Sequence, residues 1–283
     1  MAKLLEGKPL AESIKEEIRK EIAVLKNKPV LASVMVGENA GAEAYVRSQK
    51  KTAEGLGVEY RCHELAGDTG EDSLIEFIKG LNADEAVNGI IIQMPLPASI
   101  DYKKISQFLL PEKDIEGMHP ANIGRILFGK SKLIPCTAAA VMELLNSSGA
   151  DLYGKEAVVV GHSEIVGKPL CLLLLGKFAT VTVCHIGTSK AGKLEEHVRK
   201  AEVLVVAVGR AGLIKGEWVK EGAIVIDVGI NRVGEKIVGD VEFEAAEKRA
   251  SYITPVPGGV GPLTVTMLMR NLVQAAKSQQ ENL

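Results

Sequence analysis

The sequence predicts a two-domain α/β protein, in which each domain has a parallel β-sheet covered by helices. Helical and strand patterns alternate along nearly all of the 283 residues, and this alternation is typical of parallel sheets. The chain is long enough for two domains, and a hydrophobic content of 46% can fill two cores. A second strand-helix series begins near the middle, which predicts a doubly wound unit there.

The first half opens with a helix and continues as three strands separated by two helices. Ile14, Ile18 and Ile22 repeat at helical spacing, and Pro29 ends that helix. The elements predicted after it are a strand at 30–36, a helix at 42–56, a strand at 58–62, a helix at 74–81 and a strand at 89–93. This order predicts a parallel sheet.

The second half follows a stretch, 103–135, that is rich in proline, glycine and aspartate and that we interpret as loops and a domain junction. The elements predicted after it are a helix at 138–145, a strand at 157–160, a helix at 168–175, a strand at 180–184, a helix at 194–201 and strands at 203–208 and 223–228. The last helix, 265–276, is expected to return to the first domain. The domains are therefore predicted as 1–137 plus 264–283, and 138–263.

Composition argues against nucleic acid and membrane partners. The 34 basic and 36 acidic residues nearly balance, so no strong field attracts an anionic polymer or lipid surface. No segment approaches the ~20 apolar residues that span a bilayer, and the N-terminus lacks the apolar stretch of a secretion signal. The cysteines and histidines show no metal-ligand spacing. We expect a cytoplasmic protein without a metal.

Two glycine-bearing stretches are candidate binding loops. Gly161-His162-Ser163 follows a predicted strand, where glycines let backbone N–H groups approach a phosphate. The spacing is not Gly-x-Gly-x-x-Gly, so an ordinary tight turn fits equally well. In the loop 253–262 the prolines restrict the backbone and the glycines carry no side chain, which suits contact with a planar ring. A plain linker is the alternative, although linkers are usually richer in serine and charge.

Polar residues of the first half suggest a second site. Tyr45 and Gln49 stand four residues apart in a predicted helix and therefore share a face. Lys50 and Lys51 point elsewhere, as expected for a solvated face. Glu116 lies in a loop where acidic residues also serve as turn formers.

Together, these stretches resemble the methylenetetrahydrofolate dehydrogenase/cyclohydrolase family along essentially the whole chain. The most specific matches are Gln93-Met94-Pro95-Leu96-Pro97 and the loop from Pro255 to Pro262. The resemblance implies an N-terminal α/β folate-binding domain and a Rossmann-type cofactor domain, usually in a cytosolic homodimer. It implies oxidation of 5,10-methylenetetrahydrofolate to 5,10-methenyltetrahydrofolate by hydride transfer to a nicotinamide cofactor.

The resemblance also implies roles for individual residues. The implied catalytic residues are Tyr45, Gln49, Gln93 and Glu116. The implied substrate-binding residues are Tyr45, Gln93, Pro95, Leu96, Glu116, Pro257, Gly258 and Gly259. The implied cofactor-binding residues are Gly161, His162, Ser163, Ile165, Val166, Ile186, Thr188, Val208, Gly209, Gly229, Ile230 and Thr264.

Several site positions depart from the family pattern. Gln49 stands where the family has its catalytic lysine, and Glu116 replaces an aspartate. A primary amide does not exchange protons near neutral pH, so we expect cyclohydrolase activity to be weak or lost. A fully bifunctional enzyme that yields 10-formyltetrahydrofolate is the alternative. A non-catalytic folate- or nucleotide-binding protein is the alternative of another class.

The cofactor preference rests on two further departures. His162 and Gly187 replace arginines that are frequent in the family, so a fixed cation for the 2′-phosphate of NADP is missing and NAD is favoured. NADP is the alternative, because no acidic residue follows the strand at 180–184 to bind a free ribose hydroxyl.

Overall fold

The structure is a computed structural model that describes residues 1–38 and 40–281, without the side chains of residues 40 and 42. It divides into two compact units. The three-stranded unit comprises Ser13–Cys136 and the segment from Val265 onward, and the six-stranded unit comprises Met1–Glu12 and Thr137–Thr264. The two-domain α/β fold predicted from the sequence is confirmed.

Helices and strands alternate along most of the described chain. In chain order they are β1 (Lys3–Leu4), α1 (Gly7–Ala23), β2 (Val30–Val36), α2 (Ala40–Leu56), β3 (Glu59–Leu65), α3 (Glu71–Ala83), β4 (Gly89–Ile92), α4 (Tyr102–Ile105), α5 (Pro120–Leu127), α6 (Cys136–Ser147), β5 (Glu156–Val160), α7 (Gly167–Leu175), β6 (Thr180–Cys184), α8 (Ile186–Lys190), α9 (Leu194–Lys200), β7 (Val203–Val206), β8 (Ile224–Asp227), β9 (Asn231–Val233), β10 (Lys236–Val238), α10 (Phe243–Glu247), β11 (Tyr252–Ile253) and α11 (Gly261–Glu281). Short 3₁₀ helices lie at Ser106–Phe108 and Gly216–Trp218.

The three-stranded unit has a parallel sheet with the strand order β3-β2-β4. The central strand β2 is buried along its whole length, as expected for a parallel strand covered on both faces. Helix α3 contributes Leu74 and Ile78 to a core that also contains Val34 and Ile90. This core holds the carboxyl ends of β2 and β4 in place.

Helix α11 is anchored in the three-stranded unit by side-chain amides. Asn271 Nδ2 donates to the carbonyl oxygens of Ile115 and Ile134, at 2.8 Å each. Gln279 Nε2 donates to the carbonyl oxygen of Asn88 at 2.9 Å. The helix therefore fixes the loop that carries Ile115 as well as the start of β4.

The six-stranded unit has an all-parallel sheet with the order β1-β11-β8-β7-β5-β6. The chain runs outward from β5 to β6 and then returns to β7 on the other side of β5. The loops after β5 and β7 therefore diverge and leave a crevice at their carboxyl ends, the usual place for a ligand in such sheets. Helix α7 packs closely on the turn after β5, because a methyl group at Gly167 would overlap the Gly161 carbonyl oxygen.

The compact units differ from the predicted domains at the N-terminus, where residues 1–12 belong to the six-stranded unit. They do so because β1 pairs with β11 at the edge of that sheet. Both strands have two residues, which is too short for a periodic pattern. The predicted strand at 203–208 also ends earlier, at Val206. Among the described residues, no helix is both long and apolar enough to cross a membrane.

The contact at Gly167 predicts a stability change. Gly167→Ala is expected to destabilise the protein by ~1–3 kcal/mol, because the added methyl group must displace backbone atoms. Denaturant unfolding measures the effect. The control is Gly80→Ala in α3, where a methyl group meets nothing within 4 Å in the described part of the chain. That variant is expected to gain about 0.5–1 kcal/mol. A wild-type midpoint for Gly167→Ala would contradict the close packing.

Candidate active site

Two buried glutamines are hydrogen-bonded to each other in the three-stranded unit. Gln49 lies on α2 with none of its surface exposed, and Gln93 directly follows β4 with 3% exposed. Gln93 Nε2 donates to Gln49 Oε1 at 2.9 Å, and Gln49 Nε2 lies 3.5 Å from Gln93 Oε1. The helix α2 and the carboxyl end of β4 thus meet at this amide pair.

Two further polar side chains complete what we call the glutamine network, consisting of Ser33, Gln49, Tyr60 and Gln93. Tyr60 Oη, on β3, donates to Gln49 Oε1 at 2.9 Å. Gln93 Nε2 also donates to Ser33 Oγ, on β2, at 3.0 Å. Sequence reasoning missed Ser33 and Tyr60, because single polar residues within strands carry no spacing signal.

Tyr45 and Glu116 lie beside the network. Burial raises the pKa of Tyr45 above its ordinary range, as do the nearby Cys136 and Glu116, while a hydrogen bond with Gln49 lowers it. Burial and the neighbouring Asp114 raise the pKa of Glu116 to about 8. The shared electrostatics place Tyr45, Gln49, Gln93 and Glu116 in one polar cluster, with Tyr45 protonated at neutral pH.

The loop that carries Glu116 is held by buried hydrogen bonds. The Asp114 carboxylate accepts from the His119 backbone N–H at 2.7 Å and from Asn122 Nδ2 at 2.9 Å. Asn271 of α11 holds the Ile115 carbonyl oxygen. Glu116 therefore stands on a rigid loop, although the sequence pattern in this stretch is irregular.

Pro95 and Leu96 follow Gln93 in the same unit. Pro95 is exposed, whereas Leu96 is partly buried against the core that contains Val34. The expected substrate-binding residues of the three-stranded unit are thus contiguous with the glutamine network.

The turn after β5 has the features of a phosphate-binding turn. Gly161 has a φ of +124°, which L side chains rarely adopt, and the close approach of Gly167 brings helix α7 against it. Ser163 Oγ accepts from the Val166 backbone N–H at 3.1 Å and so closes the turn. These residues fit the pyrophosphate of a dinucleotide, which requires a tight glycine turn at a helix start.

A buried carboxylate shapes the loop after β7. Asp240 accepts from the backbone N–H groups of Val208, Gly209 and Arg210 at 2.8, 2.9 and 2.7 Å. A side chain at Gly229 would overlap this carboxylate, which explains the glycine there. Sequence reasoning missed Asp240, yet it fixes the backbone of two expected cofactor-binding residues, Val208 and Gly209.

The edge of this crevice presents histidines and apolar side chains. The rings of His162 and His185 are perpendicular, with centroids 5.2 Å apart. His185 Nδ1 accepts from the Gly187 backbone N–H at 3.1 Å, and Thr188 Oγ1 accepts from the His185 N–H at 3.2 Å. Large apolar side chains stand exposed at Ile165, Ile186, Val208 and Ile230. Exposed apolar groups beside a glycine turn suit the planar rings of a dinucleotide.

The proline-glycine loop lies in the six-stranded unit. The Gly7 backbone N–H, at the start of α1, donates to the Gly258 carbonyl oxygen at 2.8 Å. Gly259 packs against Gly7, and Thr264 Oγ1 reaches the Val260 carbonyl oxygen at 3.5 Å. Pro257, Gly258 and Gly259 therefore share a unit with the expected cofactor-binding residues. Within the described residues, no three His, Cys, Asp or Glu side chains cluster as metal ligands would.

Comparison with known proteins gives matches along the whole chain. Residues 5–116 match the family model "Tetrahydrofolate dehydrogenase/cyclohydrolase, catalytic domain", and residues 135–280 match its "NAD(P)-binding domain". A relative from Bacillus pumilus, "Bifunctional protein FolD", is 49% identical over 280 residues, which cover 98% of each chain.

Solved structures agree in fold. The Campylobacter jejuni bifunctional methylenetetrahydrofolate dehydrogenase/cyclohydrolase aligns with a TM-score of 0.95 at 43% identity, covering 98% of this chain and 99% of that one. The Trypanosoma brucei dehydrogenase-cyclohydrolase, complexed with NADP and an inhibitor, aligns with a TM-score of 0.92 at 38% identity and covers 98% of both chains.

The raised pKa of Glu116 predicts a pH-dependent stability. The folded protein holds this proton up to about pH 8, whereas an unfolded chain releases it near its ordinary value. The folded state therefore binds more protons between these values, and the free energy of unfolding falls as the pH rises through them. Glu116→Gln, which cannot ionise, is expected to flatten this fall. Unfolding midpoints from about pH 5 to about pH 9 measure it.

Glu112→Gln is the control for the pH experiment, because Glu112 is exposed in the same loop. It is expected to keep the wild-type slope. If Glu116→Gln also keeps that slope, the proton is not held by Glu116.

Proposed function

Because the chain belongs to the tetrahydrofolate dehydrogenase/cyclohydrolase family, we propose that it oxidises 5,10-methylenetetrahydrofolate and hydrolyses the methenyl product to 10-formyltetrahydrofolate. The observation that supports this best is the polar cluster of Tyr45, Gln49, Gln93 and Glu116 at the carboxyl end of β4. In this proposal folate binds the three-stranded unit, a nicotinamide cofactor binds the six-stranded unit, and the active form is a homodimer.

The dehydrogenase reaction needs positioning more than proton transfer. The lone pair of a folate nitrogen expels hydride from the methylene carbon and leaves a delocalised methenyl cation. A nicotinamide cofactor held at the turn after β5 would supply the hydride acceptor. Gln93 and Tyr45 orient the folate by hydrogen bonds, and a carboxyl oxygen of Glu116 accepts from the pterin N–H donors. Holding the reacting groups in the right geometry lowers the activation barrier of such a reaction substantially.

Hydrolysis of the methenyl cation makes a different demand, because the attacking water must lose a proton. The names of the relatives favour the bifunctional alternative over our expectation of weak or lost hydrolysis. Glu116 also offers a carboxyl whose pKa of about 8 suits acid-base work near neutral pH. One observation favours a second candidate, a dehydrogenase with slow hydrolysis: the buried side chain at position 49 is an amide that cannot take the proton.

Gln49→Lys tests the role of this side chain. Lysine restores a group that exchanges protons, and acid-base assistance is typically worth ~10²–10⁴-fold. A dehydrogenase with slow hydrolysis is therefore expected to hydrolyse methenyltetrahydrofolate faster by that order, whereas a bifunctional wild type is expected to gain little. Methylenetetrahydrofolate oxidation is expected to hold or fall. The two rates are measured on the same preparations, with buffer as the blank.

The control is Ser48→Lys, which adds a lysine one residue away on the exposed side of α2, about 100° around the helix. It is expected to leave hydrolysis unchanged. Fast hydrolysis by the wild type without a gain in Gln49→Lys would eliminate the second candidate. If the wild type does not oxidise methylenetetrahydrofolate, the alternative of a non-catalytic folate- or nucleotide-binding protein is favoured.

We further propose that NAD is preferred over NADP. His162 stands exposed beside the His185 ring, and His185 follows β6, where dinucleotide folds read the ribose 2′ position. A histidine, unlike an arginine, supplies no permanent charge for a 2′-phosphate. The Trypanosoma brucei relative binds NADP, so NADP is the competing cofactor.

His162→Arg is expected to shift the ratio of kcat/KM for NADP to that for NAD upward about tenfold, because guanidinium pairs strongly with phosphate. Initial rates with each cofactor measure this ratio. His197→Arg, which adds the same charge on α9, is the control and is expected to leave the ratio unchanged. A wild type that clearly prefers NADP would contradict the proposal.

A further inference from the structure

Tyr60 has no role in the function described above, yet its hydroxyl contacts the buried amide of Gln49. Its hydroxyl donates to Gln49 Oε1 at 2.9 Å, in a partly buried contact of the three-stranded unit. Burial raises the pKa of Tyr60 to about 12, while a hydrogen bond with Ser33 lowers it. Tyr60 is therefore a protonated donor at neutral pH.

The hydrogen bonds of the glutamine network converge on the Gln49 side-chain oxygen. Gln93 Nε2 donates both to Ser33 Oγ and to Gln49 Oε1, at 3.0 and 2.9 Å. The Ser33 hydroxyl lies in hydrogen-bonding reach of Tyr60, which in turn donates to Gln49. Gln49 Oε1 thus receives two donors, and both of its lone pairs are used.

The two ends of an amide are chemically different, since the oxygen only accepts and the nitrogen only donates. With Oε1 held by Tyr60 and Gln93, Gln49 Nε2 faces Gln93 Oε1 and the Tyr45 phenol. A hydrogen bond from Gln49 lowers the pKa of Tyr45, as expected when the Tyr45 oxygen accepts, so the Tyr45 hydroxyl hydrogen is left for another acceptor. The direction of the Gln49 amide therefore decides whether the Tyr45 hydroxyl hydrogen is used within the protein or is left for the substrate.

We propose that Tyr60 is a positioning residue that, through the Gln49 oxygen, turns the Gln49 amide so that Tyr45 presents its hydroxyl as a donor to the substrate. This inference rests on the proposed function, in which Tyr45 orients the folate. Tyr60 acts only through Gln49, so its effect must disappear when the side chain at position 49 can no longer hydrogen-bond.

A double-mutant cycle tests this dependence, using Tyr60→Phe, Gln49→Met and the double variant. Phenylalanine deletes only the hydroxyl, and methionine keeps the reach of glutamine without its polar atoms. Tyr60→Phe is expected to lower kcat for methylenetetrahydrofolate oxidation about tenfold, with the KM for the nicotinamide cofactor unchanged. In the Gln49→Met background the same change is expected to alter kcat less than about twofold. Tyr153→Phe, at an exposed position in the other unit, is the control.

The outcomes separate this proposal from the proposed function. Equal losses of kcat in both backgrounds, or a loss of thermal stability with unchanged kcat, would overturn the positioning role. If the wild type binds tetrahydrofolate without oxidising the methylene compound, the proposed function is contradicted but the positioning role of Tyr60 is not. The cycle is then measured on the Kd for tetrahydrofolate, where Tyr60→Phe is expected to weaken binding about tenfold only when Gln49 is present. No binding by the wild type would overturn both.

Discussion

A polar group that is buried must find its hydrogen-bond partners inside the protein, and both candidate sites are built around groups under this requirement. Leaving one such group unpaired costs about 1–3 kcal/mol. In the three-stranded unit the requirement falls on Gln49 and Gln93, and it is met by Ser33 and Tyr60. In the six-stranded unit it falls on Asp240, which takes three backbone N–H groups of the loop after β7. The same bonds that avoid the cost also fix the direction of each side chain.

The chain meets this requirement differently where it buries a charge. Lys113 is buried, and its Nζ donates to the carbonyl oxygens of Leu81, Asn82 and Asp84 at the end of α3, at 3.2, 2.8 and 2.7 Å. Carbonyl oxygens at a helix C-terminus carry partial negative charge and suit an ammonium group. The partners of Gln49 are a phenol and an amide instead. The surroundings of position 49 therefore match a neutral amide, as those of position 113 match a cation.

Strands and helix faces could be predicted from the sequence, because they follow periodic patterns. Side-chain contacts between elements that are distant in the chain could not. Strand β2 is predicted at its observed bounds, because a run of seven apolar or small residues is long enough to recognise. The shared face of Tyr45 and Gln49 also follows from helical spacing alone. Tyr60 gives no signal, since its contact with Gln49 depends on how α2 packs against β3. Asp240 gives none either, because the backbone N–H groups that it holds lie about thirty positions earlier.

The two reactions of the proposed function place unequal demands on this arrangement. Hydride transfer needs a fixed geometry, and neutral hydrogen-bonded groups supply it without changing their charge. Hydrolysis needs a group whose protonation changes during the reaction. The glutamine network contains amides and hydroxyls that stay neutral near pH 7, so any proton in this cluster must move through Glu116 or a residue introduced at position 49. Hydrogen bonds that orient the substrate and a group that exchanges a proton are supplied by different side chains. A substitution at a single buried position can therefore separate two activities that share one substrate site.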